Sequence, residues 1–359
     1  ATVCPALKDI GMTCDAVWTD YDNDGMTDLV IAGEFMPLRF FHNDHGKLVL
    51  QPTSIDNQAG WWNSIIAADF DNDGDMDFVA GNTGANSFYK PTNERPVHIY
   101  AKDFDNNGSF DALPSLYLPA SQKDTAVREY PAQLRDDLIK QMIEMRNKFK
   151  TYNEFATASF DKLLTPEQLK GALILSANNF KSSYIRNDGG GKFTMTPLPI
   201  EAQLSTVYGM IAEDTDGDGN LDIIINGNDF GTEVTVGRYD AMNGLVLKGD
   251  GNGNFAAMRI LQSGIFIPGN GKALIKFKNA NGNCMLAASQ NRGSLKIFQM
   301  KSMHKTIPLR LNDKYAMITL ANGKKRKVEC NFGMGYLSQS SRFINMDASM
   351  KSIEIFDNN

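Results

Sequence analysis

Four stretches of this chain place aspartates at alternating positions of a nine-residue loop. They are Asp20-Tyr-Asp22-Asn-Asp24-Gly25-Met26-Thr-Asp28, Asp69-Phe-Asp71-Asn-Asp73-Gly74-Asp75-Met-Asp77, Asp103-Phe-Asp105-Asn-Asn107-Gly108-Ser109-Phe-Asp111 and Asp214-Thr-Asp216-Gly-Asp218-Gly219-Asn220-Leu-Asp222. Carboxylates crowded in this way repel one another unless a cation lies between them. Calcium suits such a loop because it accepts six to eight hard oxygen ligands in flexible geometry. Positions 1, 3 and 5 offer side-chain oxygens, and glycine at position 6 allows a sharp backbone turn. Position 7 (Met26, Asp75, Ser109, Asn220) offers its backbone carbonyl, and the aspartate at position 9 closes the cage. Asn107 is a neutral substitute that weakens the third loop. An EF-hand would require a bidentate Glu at position 12, where this chain has Ile31, Ala80, Pro114 and Ile225.

The flanking residues read as strands. Leu29-Val-Ile-Ala, Phe78-Val-Ala and Leu221-Asp-Ile-Ile-Ile are short apolar runs, the pattern of buried strands. Asp-Gly turns also close metal-free hairpins, but the shared spacing of four copies favours a metal. Asn187-Asp-Gly-Gly-Gly-Lys-Phe193 and Gly249-Asp-Gly-Asn-Gly-Asn-Phe255 lack the closing aspartate and read as plain hairpin turns. A unit of strand, acidic loop, strand and hairpin therefore recurs, with a fifth, loop-free copy from about Ala273 to Phe298. Repeats of this length and strand content are the mark of β-propeller blades.

Two regions depart from the repeat. Between about residues 113 and 170, Leu134, Leu138, Met142, Met145 and Phe149 follow a helical period, and Thr165-Pro166-Glu-Gln168 forms a capping box. This predicts a helical insertion from the third blade, packed as a cap on the propeller rim. From residue 301 to 359 the acidic loops stop, and strands such as Tyr315–Leu320 and Ile353–Phe356 predict a small C-terminal β module. The expected architecture is all-β: a propeller over residues 1–300, interrupted by the helical insertion, then residues 301–359.

These loops resemble FG-GAP/VCBS repeats, the calcium-loop propellers related to integrin α-subunit heads. Gly60-Trp-Trp-Asn-Ser64, Leu169-Lys-Gly-Ala-Leu173, Gly237-Arg-Tyr-Asp240 and Gly333-Met-Gly-Tyr-Leu-Ser-Gln-Ser-Ser-Arg342 are similar to the ASPIC/UnbV, cartilage-acidic-protein-like group, Bacteroidetes type. The resemblance implies Ca2+ at up to four loops, a longer N-terminal propeller region, and Ala1 as a processed or truncated start. It implies no settled molecular activity.

Composition narrows the function. A 359-residue chain with 42% hydrophobic residues can bury a substantial core. Four Ca2+ would turn the formal charge of −6 into about +2, so the acidity reads as ligand supply. Lys324-Lys-Arg-Lys327 is short and reads as a solvated hairpin face rather than a nucleic-acid footprint. Cys4 and Cys14 either pair, if the chain is exported, or remain buried thiols. His42, His45, His98 and His304 match no nucleophile motif. The expectation is a non-enzymatic, calcium-stabilised surface or secreted protein, outer-membrane associated in a bacterium, with no transmembrane segment. It would bind a protein or glycan through Trp61 or Trp62, of which one is core, and through Arg238 and Tyr239, with Arg238 and Asp240 also placed for a salt bridge. Two alternatives are an accessory subunit of an outer-membrane nutrient-import complex and a calcium-dependent polysaccharide lyase.

Overall fold

The structure, a computed structural model, describes residues 4–121, 123–234, 236–301 and 305–357. Ala1 and His304 lie outside them. The fold is all-β with short helices, and it forms two compact units. One holds residues up to 57, 61–87 and those from 181 onward; the other holds 58–60 and 88–180.

Four antiparallel meander sheets build the first unit. Their strands are Met12–Thr19, Asp28–Met36, Arg39–Asp44 and Lys47–Gln51; then Ser64–Ala68, Asp77–Gly81, Ser183–Asn187 and Phe193–Pro197; then Val207–Glu213, Asp222–Gly227, Leu245–Gly249 and Phe255–Ala257; and last Gly271–Lys278, Cys284–Gln290 and Lys296–Gln299. The first strands of successive sheets lie side by side. Between neighbouring sheets sit aromatic and aliphatic layers, such as Phe40, Phe78, Phe193 and Trp62, and then Phe70, Tyr184, Ile223 and Leu247. Asn187 pairs with Phe193 and Gly249 with Phe255, so the two glycine-rich clusters close hairpins.

The second unit corrects the expected insertion. It interrupts the second sheet, between Asp77–Gly81 and Ser183–Asn187, and it is wider than residues 113–170. It contains its own four-stranded sheet, ordered Val127–Pro131, Asp111–Pro119, Val97–Lys102, Leu173–Ala177, so the third acidic loop belongs to the insertion. The expected long helix is broken into Arg135–Gln141 and Met145–Lys148. Leu138, Met142, Met145 and Phe149 pack with Tyr100, Phe104, Leu113 and Phe160. The apolar helical face is thus spent on this unit's own sheet, which is why a helical period appears beside strands.

The tail strands Lys305–Pro308, Asp313–Leu320, Lys325–Glu329, Phe343–Met346 and Met350–Asp357 make two small sheets. They belong to the first compact unit, so residue 300 is not a boundary between units. Cys4, Cys14, Cys284 and Cys330 are free thiols.

Candidate metal centre

All four acidic loops are built alike. The preceding strand ends one residue before position 1, and the following strand begins at position 9. The last strand pair is Thr19 with Asp28, Ala68 with Asp77, Lys102 with Asp111, and Glu213 with Asp222. Each loop is therefore the connection of a β-hairpin. The position-6 glycines have φ of +86°, +98°, +87° and +88°, where only glycine is comfortable. Position 4 also has positive φ in every copy: Asn23, Asn72, Asn106 and Gly217. Asn and Gly tolerate that region best, a signal present in the sequence but passed over.

Hydrogen bonds within the loops repeat as well. The position-6 N–H donates to the position-1 carboxylate in all four, at 2.8–3.3 Å. The position-7 N–H donates to the position-5 side chain at 2.7–2.9 Å. Position 9 is sealed from solvent throughout, with Asp28, Asp77, Asp111 and Asp222 at 0–1% exposure. In loops two, three and four its Oδ2 accepts the position-2 N–H, from Phe70, Phe104 and Thr215 respectively. In the first loop Asp28 Oδ2 has no hydrogen-bond partner.

Carboxylate oxygens converge within 4.8 Å of one another in each loop: Asp20, Asp22 and Asp28; Asp69, Asp71 and Asp73; Asp103, Asp105 and Asp111; Asp214, Asp216 and Asp218. The closing aspartate thus joins the cluster in the first and third loops. In the second and fourth, Asp77 and Asp222 instead accept backbone N–H groups on both oxygens. Burial, reinforced by neighbouring carboxylates, raises four of the acids well above the ordinary range. Asp28 and Asp69 reach about 7, Asp71 about 6 and Asp77 about 8. Burial likewise lifts Asp214 to about 6. A divalent ion is the natural remedy for that cost. Side-chain oxygens with a backbone carbonyl fit a hard cation.

In the first unit the loops are also joined to one another. Asn23 Nδ2 donates to Asp75 Oδ1 at 2.5 Å, and Asn72 Nδ2 to Asn220 Oδ1 at 3.5 Å. Position 4 of one loop thereby meets the position-7 side chain of the next, so those side chains have a role beyond their carbonyls.

The tail hairpin binds the same three loops, which overturns the reading of a solvated face at Arg326 and Lys327, while Lys324 and Lys325 are exposed. Arg326 is 2% and Lys327 4% exposed. Lys327 Nζ donates to Asp20 Oδ2 at 3.2 Å and Asn23 Oδ1 at 2.6 Å, while its N–H donates to Asp69 Oδ2 at 2.8 Å. Lys324 Nζ donates to the Asp71 carbonyl, Arg326 to the Gly219 carbonyl, and Glu329 accepts the Asp20 N–H. A run of four basic residues looks solvent-facing from sequence alone, because its acidic partners are about 100–300 residues away.

The other sequence-predicted contacts lie elsewhere. Trp62 is completely buried and cannot meet a partner; Trp61 is half-buried, edge-on to Phe35 at 5.4 Å. Adjacent strand residues face opposite ways, and Trp62 took the core side. Arg238 is exposed and lies over the Phe230 ring at 4.8 Å; among the described residues it forms no ion pair with Asp240. Tyr239 pairs with Asp229 through the backbone. A cavity of about 180 Å3 beside the inner strands is lined mainly by aliphatic residues, with Phe343 its single aromatic. Its Glu213 and Lys276 are already paired at 2.6 Å. No helix among the described residues is long and apolar enough to cross a membrane.

Comparison with known families agrees with this construction. A family described as FG-GAP-like repeat matches residues 20–80, and one described as FG-GAP repeat matches residues 61–100. The matched segment holds the first two acidic loops and the strands that follow them, less than a quarter of the chain. Residues 20–100 are therefore similar to FG-GAP repeats, a type that often binds Ca2+. No curated protein matches the chain.

Proposed function

We propose that this chain is a non-enzymatic scaffold, a calcium-stabilised β-propeller of FG-GAP-type repeats that presents its surface to a protein or glycan partner. The observation that carries this reading is the row of three acidic loops tied together by Asn23 and Asn72 and covered by the tail hairpin. Such loops are built to be held still. In each, the position-1 carboxylate accepts the position-6 N–H of its own hairpin and so fixes the turn. Metals in this arrangement would be held by positions 1, 3, 5 and 7, with position 9 added in the first and third loops. They would supply charge neutralisation rather than a reactive water. The side-by-side first strands of four meander sheets support the propeller arrangement. The tail and the quoted motifs support an ASPIC/UnbV-type chain of the outer surface, where millimolar calcium would keep the loops filled.

Against a lyase stands the cavity, whose charged groups are already engaged, Glu213 with Lys276, Glu329 with Lys327, and Arg326 and Arg342 with backbone carbonyls. Exposed Leu134 and Ile143 on the helical segment support the alternative of a subunit docked to other envelope proteins. The test is retention of the calcium-loaded protein on arrays of surface glycans and envelope proteins, run beside a uronate-polysaccharide degradation assay. Calcium-dependent retention with no unsaturated product is expected. Release of unsaturated uronate would overturn the scaffold reading.

A further inference from the structure

The first loop differs from the other three in two ways that point in the same direction. Asp28 Oδ2, wholly buried, lacks the position-2 N–H that its counterparts Asp77, Asp111 and Asp222 receive. Its other oxygen accepts the Asn43 N–H at 2.7 Å. Beside this loop, on the strand Arg39–Asp44, stands His42. Its Nδ1 is buried and makes no hydrogen bond, although it lies 2.9 Å from Asp22 Oδ2 and 3.5 Å from Asp28 Oδ1. A ring nitrogen of His42 and the Asp22 and Asp24 oxygens gather within 4.8 Å of one another.

A close approach without hydrogen-bond geometry is what two ligands of one ion show. Neighbouring ligand atoms on one ion lie about 2.8–3.4 Å apart, on a tetrahedral zinc and on a pentagonal-bipyramidal calcium alike. The His42–Asp22 separation of 2.9 Å fits two ligands of a shared ion, and the nitrogen decides which ion. Imidazole nitrogen favours borderline transition metals over calcium, which prefers oxygen.

We propose that the first loop is a mixed nitrogen–oxygen site, in which His42 joins Asp22 and Asp24, beside the Asp20–Asp22–Asp28 group, to hold a divalent transition ion such as Zn2+ in preference to Ca2+. This rests on the reading of the loops as metal sites and adds selectivity to it. The second loop, whose cluster contains oxygen alone, remains a calcium site.

The test uses the full chain stripped with chelator, dialysed against micromolar Zn2+ in millimolar Ca2+, and assayed for bound metal. Wild type should retain one zinc per chain. His42→Asn, which keeps an oxygen ligand, should lose at least tenfold in zinc affinity while keeping its calcium-induced rise in melting temperature. His45→Asn, removing an exposed imidazole of the same hairpin, should leave zinc uptake unchanged. Pulsed EPR of the protein loaded with one Cu2+ should show imidazole nitrogen coupling that disappears in His42→Asn. Absence of zinc retention, or equal retention by His42→Asn, would overturn this proposal while leaving calcium stabilisation intact. Absence of stabilisation by either ion would instead overturn the metal reading of the loops.

Discussion

The second and fourth loops share one backbone design and differ in what neutralises them. In the fourth, Lys248 from the neighbouring strand reaches between Asp216 and Asp218, bonding the first closely and lying 3.0 Å from the second. Those two carboxylates raise the affinity of Lys248 for its proton. In the second loop no lysine or arginine side chain of the described residues pairs with Asp71 or Asp73, and Asp71 Oδ1 has no partner at all. One loop holds an ammonium between its carboxylates, whereas in the other Lys324 reaches only the Asp71 carbonyl. A metal entering the fourth loop has to displace an ammonium group first, so the second loop should bind more tightly.

Asp71→Ala breaks the comparison from the metal-dependent side and should have the largest effect. A site held at a hundredfold excess of ion over its Kd contributes about 2.7 kcal/mol. Losing it should lower the melting temperature in calcium and shrink the gap between calcium and chelator, as read by differential scanning calorimetry. An unchanged melting curve would count against a structural ion at that loop.

Lys248→Met probes the other side. The lysine is 41% exposed, and an exposed pair contributes roughly 0–1 kcal/mol. The variant should therefore melt slightly lower in chelator and gain more from calcium than wild type. A narrower calcium gap would mean that the lysine assists the ion instead of replacing it.

Acidity gives the broadest effect. Asp69, Asp71 and Asp77 hold protons in the folded, metal-free chain up to about 7, 6 and 8, because burial disfavours their charged forms. Unfolded aspartates release theirs near 4. Between those limits the folded state binds more protons, so its stability falls as pH rises from about 4 to 8. In chelator the melting temperature should decline over that range. In calcium the decline should be shallower, and calorimetry in two buffers should detect proton release on calcium uptake.

What the sequence showed was local. The nine-residue spacing located every acidic loop, the glycine positions anticipated their turns, and the apolar runs anticipated the strands that start at Asp28, Asp77 and Asp222. What it hid was long-range. Nothing near Lys327 announces that its ammonium will meet Asp20, some 300 residues earlier. The third loop obeys the common pattern, so its place in a separate unit could not be read from it. The helical period of Leu138, Met142 and Met145 was genuine, yet periodicity alone cannot say which sheet such a face will cover. His42 matches no sequence motif, because the carboxylates it meets in space, Asp22 and Asp28, are not its neighbours in sequence.

The most direct measurement is an X-ray structure from crystals grown in millimolar calcium, with anomalous scattering used to identify ions. The account predicts an ion in the second loop, bonded at about 2.3–2.6 Å to oxygens of Asp69, Asp71 and Asp73. A second loop holding only water, with its carboxylates arranged as they are without metal, would contradict it.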